Sequence, residues 1–196
     1  MTISLAPRTL NSIADPRLQQ LRNALIGSEV VAVAYAMSTG AIWPHGHRND
    51  AYVHEVDLGV DLSLGSGSTL RLLWATPGSD EGLAIELLDS QAVTKDDPID
   101  RLNVTSRGEW ADVAHHPIRS IGIAFYSYDG SAEDRPWSFR LEFVNGTSVV
   151  IALGEVVDGR PSYMPDSIAV IFDADMARTY EVAEARSSAW GEMLNE

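Results

Sequence analysis

Between Glu55 and Leu64 the chain alternates: Val56, Leu58, Val60, Leu62 and Leu64 are apolar, while Glu55, Asp57, Gly59, Asp61 and Ser63 are small or charged. Successive side chains on a β-strand point to opposite faces, so a period of two predicts a strand with its aliphatic row in a core and its carboxylates in water. Gly65-Ser66-Gly67-Ser68 follows as a turn, and Thr69 to Thr76 is expected to return as the hairpin partner.

The same order recurs later in the chain. Leu64-Gly65-Ser66-Gly67-Ser68-Thr69-Leu70 aligns with Phe143-Val144-Asn145-Gly146-Thr147-Ser148-Val149, and Leu83-Ala84-Ile85 with Ile168-Ala169-Val170. Asn-Gly is a strong hairpin signal, because both residues accept the positive φ of a two-residue turn. The first set of expected strands is Glu29 to Ser38, Glu55 to Leu64, Thr69 to Thr76 and Gly82 to Leu88. The second opens at Ile121 and continues through Trp137 to Phe143, Thr147 to Leu153 and Ser167 to Asp173. A small polar pair precedes a tryptophan in each set: Thr105-Ser106 before Trp110, and Ser187-Ser188 before Trp190. Self-similarity of this kind predicts a doubled supersecondary unit.

Three helices complete the expectation. Asp15 suits an N-cap, Pro16 the first helical position and Gly27 the left-handed residue beyond the end, with Leu18, Leu21 and Leu25 forming one stripe. Glu109 to His115 reads as a short helix closed by Pro117. Asp175 to Leu194 reads as a C-terminal helix capped by Asp173 or Asp175, with Met176, Tyr180, Ala183, Trp190 and Leu194 near helical spacing. The expected fold is therefore α+β: antiparallel sheets from two tandem four-stranded meander units, residues 1–100 and 101–196, packed as one pseudo-symmetric domain. Short helices lie at the N-terminus, between the units and at the C-terminus.

Composition narrows the functions. With no cysteine, disulfides, thiolate zinc sites and a cysteine nucleophile are excluded. Met1 to Leu10 lacks a signal-peptide apolar stretch and no long apolar run follows, so the expectation is a cytoplasmic chain without a membrane partner. The net charge is -14, and residues 28–100 alone carry twelve acidic against three basic side chains. Nucleic acid is a poor partner for such a surface, since phosphate binding rests on clustered Lys and Arg; a basic protein is a better one.

No catalytic set assembles from the motifs. Gly65-Ser66-Gly67-Ser68 lacks the frame of a nucleophile elbow, and no Gly-Lys-Ser/Thr follows to make a phosphate cradle. Asp57 and Asp61 fall on one strand face roughly 13 Å apart, too far to share a proton. His115-His116 before Pro117 fits a helix end. His45, His47 and His54, with Asp50, Glu55 and Asp57 nearby, have the donor types of a divalent metal site, although the loop from Thr39 to Asn49 leaves their convergence open.

The leading expectation is a non-catalytic acidic binding protein that engages a basic protein, an immunity-type or regulatory protein being one concrete form, with no cofactor. Glu55, Asp57 and Asp61 would steer the partner and Trp43 would anchor it at the rim. One alternative is a metal-binding protein or metal-dependent enzyme using His45, His47 and His54. Another is a structural protein that self-assembles into a homo-oligomer through open edge strands.

Overall fold

The computed structural model describes residues 2–7, 13–38, 40, 52–76, 81–89, 99–127, 134–183 and 185–194. They form a mostly antiparallel β structure with a few short helices. After β1 (Ile3–Leu5) comes α1 (Pro16–Leu25), begun as its sequence predicts. The Asp15 carboxylate accepts from the Arg17 backbone N–H at 2.9 Å and from its guanidinium at 2.9 and 2.6 Å. That guanidinium holds the Asp15 carboxyl below the usual carboxylate range. Gly27 takes φ +82° past the end, and Leu18, Leu21 and Leu25 are buried.

The strands that follow are β2 (Val30–Met37), β3 (Val53–Val56), β4 (Gly59–Leu64), β5 (Thr69–Ala75), β6 (Gly82–Leu88) and β7 (Asp100–Asn103). A single turn of helix, α2 (Trp110–Val113), leads to β8 (Ile118–Ser127), β9 (Asp134–Phe143) and β10 (Ser148–Leu153). The small hairpin β11 (Glu155–Val157) and β12 (Arg160–Ser162) precedes β13 (Ile168–Ile171), α3 (Ala174–Thr179) and β14 (Glu192–Met193).

Two six-stranded sheets result, in the orders β1-β6-β5-β4-β2-β7 and β14-β8-β9-β10-β13-β3. Four neighbours in each lie side by side in chain order: β2, β4, β5 and β6 in the first, β8, β9, β10 and β13 in the second. The sheets approach between β6 and β9, and Tyr126 of β8 donates to the carbonyl of Glu81, just before β6, at 2.6 Å. Apolar side chains from both sheets, Leu62, Leu72 and Ile85 with Trp137, Phe139 and Ile151 among them, belong to one buried cluster. Burial of this continuous apolar surface is the main force holding the sheets together.

Two expectations are corrected. The alternating run from Glu55 to Leu64 is two strands in different sheets: β3 pairs Val53 to Val56 with Ile171 to Ile168, while β4 pairs with β2 and β5. The chain bends at Asp57-Leu58, where the Asp57 carbonyl accepts from the Trp74 indole N–H at 2.7 Å. Gly59 then enters β4 so closely that a Cβ would lie 2.3 Å from the Leu72 carbonyl oxygen. The C-terminal helix, expected from Asp175 to Leu194, stops at Thr179. Asp173 does cap it, accepting from the Asp175 and Met176 N–H groups, but Tyr180 is already extended and Gly191 takes φ +67°. The remainder instead runs along the second sheet, with Arg186 and Leu194 donating their backbone N–H groups to the carbonyls of Phe125 and Ile121.

Candidate functional site

The carboxylates expected in water are largely inside. Asp61, 5% exposed, is held by two arginines: Arg71 donates Nε and Nη2 to its two oxygens at 2.8 and 3.1 Å, and Arg101 Nε lies 2.8 Å from Oδ2. Glu55, 6% exposed, accepts the Val156 backbone N–H at 2.9 Å and so fixes the β11–β12 hairpin against β3. Asp57 is half-buried at the bend, with its Oδ2 accepting the Ser38 N–H at 3.4 Å. These three do not form one outward face.

Of the histidine cluster, His54 is described; His45 and His47, like Trp43 and Asp50, lie outside the described residues. His54 is turned inward, between the Tyr35 hydroxyl at 2.7 Å from Nδ1 and Glu109 Oε2 at 3.4 Å from Nε2. The Tyr35 oxygen receives the Trp110 indole N–H at 2.7 Å, and the Glu109 carboxylate facing Nε2 favours the tautomer with the imidazole proton there, in which Nδ1 accepts the Tyr35 hydroxyl. Phe172 packs against both His54 and Trp110, with ring centroids 5.0 and 5.1 Å away. Burial pushes the His54 pKa down to about 4 and the Tyr35 hydroxyl upward. These hydrogen bonds tie β2 of one sheet directly to β3 of the other and hold α2 against both. With both nitrogens so engaged, His54 offers no lone pair to a metal in this arrangement, and among the described residues no group of three metal-ligating side chains converges.

Trp110 and Trp190, each preceded by a small polar pair in the sequence, have different surroundings. Trp110 is fully buried in α2. Trp190 lies beyond α3, and its ring centroid is 4.3 Å from the guanidinium carbon of Arg140 and 4.1 Å from that of Arg178. Gly122 makes room for Arg140, since a Cβ there would meet its guanidinium at 2.8 Å. Burial lowers the Arg140 pKa, and stacking on an indole suits a cation removed from water.

A groove of about 740 Å³ opens between the β11–β12 hairpin and α3. Asp173, Asp175 and Glu181 line it against a single guanidinium, Arg160; Tyr163, Met176 and Tyr180 supply apolar wall. Asp175 and Glu181 are exposed, and Asp175 pairs with Arg178 at 3.0 Å. Tyr180 is pinned by donating to the Leu153 carbonyl at 2.6 Å, so the wall stands on the second sheet. Burial raises the pKa of Tyr163, which keeps that wall uncharged at neutral pH. The sequence does not reveal this groove, because nothing in it signals that the segment around Gly159 and Pro161 pairs as a hairpin, and Asp173 and Asp175 read as helix caps. A neutral aromatic wall beside carboxylates is suited to cations and has no nucleophile with an activating base. Comparison with protein-family models, with curated proteins and with solved structures found no match to this chain.

Proposed function

We propose that this chain is a non-catalytic binding protein whose acidic surface receives a basic protein, in the manner of an immunity-type or regulatory protein. Its scaffold is a four-stranded meander unit used twice, β2-β4-β5-β6 and β8-β9-β10-β13. The observation that carries the reading is the net charge of -14, with Glu181 exposed at the groove beside α3 next to the Asp175–Arg178 pair. Like charges on such a surface raise the encounter rate with a cationic partner and suppress acidic ones.

The docking role moves with the geometry. Glu55 and Asp61 spend their charge inside the molecule, on Val156 and on Arg71 and Arg101. Asp57 stays in the proposed contact set as a half-buried residue at the β3–β4 bend, and Asp175 and Glu181 are its exposed members. Affinity capture from native lysate, with a salt wash and identification of what the salt releases, tests the reading. The expected eluate is a basic protein; an eluate of acidic or neutral proteins that resists salt contradicts it.

A further inference from the structure

We infer that residues 185–194 form a releasable strap, laid across the second sheet over a guanidinium that only its release can satisfy; this stands apart from the binding reading above. Arg140 lies between Phe139 and Leu141 in β9, so its side chain leaves the sheet on the face opposite theirs. It is 2% exposed. Its guanidinium occupies the space that a Cβ on Gly122 would need, and Trp190 of the strap stacks on it at 4.3 Å. Nε and Nη1 are buried and have no hydrogen-bond acceptor among the described residues. Glu142, two residues further along the same face, is engaged with the Ser120 hydroxyl and, at 3.7 Å, with Arg119.

A buried cation with unmet N–H groups is costly, and an indole face offsets only part of that cost. Neither nitrogen is open to water, so an acceptor reaches them only if the cover moves. That cover is Trp190, and the strap that carries it is held lightly. β14 pairs two residues with β8, and the Arg186, Trp190 and Leu194 amides reach the carbonyls of Phe125, Ala177 and Ile121 at 3.2, 3.2 and 3.1 Å, toward the long end of the usual range. Within the strap, Ala189 and Leu194 alone are buried. Release therefore hydrates Arg140 and uncovers the outer edge of β8, while the apolar cluster between the sheets stays closed.

The test is amide hydrogen exchange of the isotope-labelled full chain, read by NMR across low urea concentrations. The Arg186, Ala189, Trp190 and Leu194 amides should exchange as one group, at least about a hundredfold faster than those of β9 and β10 and almost independently of urea, as a local opening does. Arg140→Met keeps a side chain of similar length under Trp190 and removes the unmet donors, and replacing a buried charge by a packed apolar group of similar volume is well tolerated. The strap amides of this variant should exchange at least about threefold more slowly than the parent's. An Arg140 that merely anchored Trp190 would give the opposite sign. Parent strap amides that exchange only together with β9 and β10, or an Arg140→Met strap that falls short of the expected slowing, overturn the inference; the first of these measurements needs no variant.

Discussion

The Tyr35 hydroxyl lies 2.7 Å from His54 Nδ1, so a residue of β2 in one sheet is hydrogen-bonded to a residue of β3 in the other. Because the same oxygen accepts from Trp110, one phenol closes a buried polar chain that also orients α2. Such a chain specifies how the sheets meet, since any slip would strand polar groups in an apolar core.

Removing that oxygen should therefore be costly. Tyr35→Phe keeps the ring and leaves both the Trp110 N–H and His54 Nδ1 without their partner. The expected loss is about 2 to 4 kcal/mol, from two buried groups at about 1 to 3 kcal/mol each with partial relaxation. Urea unfolding checks it, and a loss of a few tenths would show that water replaces the hydroxyl.

Stability should fall with acid through His54. Its folded pKa is about 4 against an ordinary value of 6.5, so the unfolded chain binds this proton first. The contribution is complete above pH 6.5, declines as pH falls and is gone near pH 4. Over that window it amounts to about 3 kcal/mol, at roughly 1.36 kcal/mol per unit. His54→Gln lacks the titration, so the stability gap between parent and variant should narrow from pH 7 to pH 4. A gap independent of pH would contradict this account.

Asp61 should behave as a structural residue. Replacing it by Ala leaves Arg71 and Arg101 facing each other without their shared carboxylate, an expected loss of about 3 to 5 kcal/mol. Its effect on partner association, measured on whatever fraction folds, should be small, because the charge is already committed within the sheet.

These outcomes bear on what the sequence could reveal. The first helix was legible because Asp15 and Pro16 mark its start and Gly27 its end, and the hairpins because Gly67 and Gly146 take the left-handed conformation that their turns need. A period of two, by contrast, says which face of a strand is apolar and nothing about which sheet it joins. The one run from Glu55 to Leu64 could therefore divide between two sheets unseen. The burial of Asp61 depends on Arg71 and Arg101, and that of Glu55 on the Val156 amide, partners that pairing brings close and sequence does not. Apolar spacing from Met176 to Leu194 imitated a longer helix because the segment has apolar contacts to bury, which beyond Thr179 it makes with Tyr180, Ala189 and Leu194 through turns and short β contacts. The groove arises from a hairpin and a helix cap that fold side by side, so its acidic lining had no local signature.

The binding account is tested most directly by association rates of an identified basic partner with the parent chain and with Asp175→Asn, Glu181→Gln, measured from low to physiological ionic strength. Screening shortens the reach of exposed charge to about 8 Å at physiological salt. The parent rate should fall by at least about tenfold across that range, and the variant should start slower and fall less. Equal rates for both proteins, or a parent rate indifferent to salt, would contradict it.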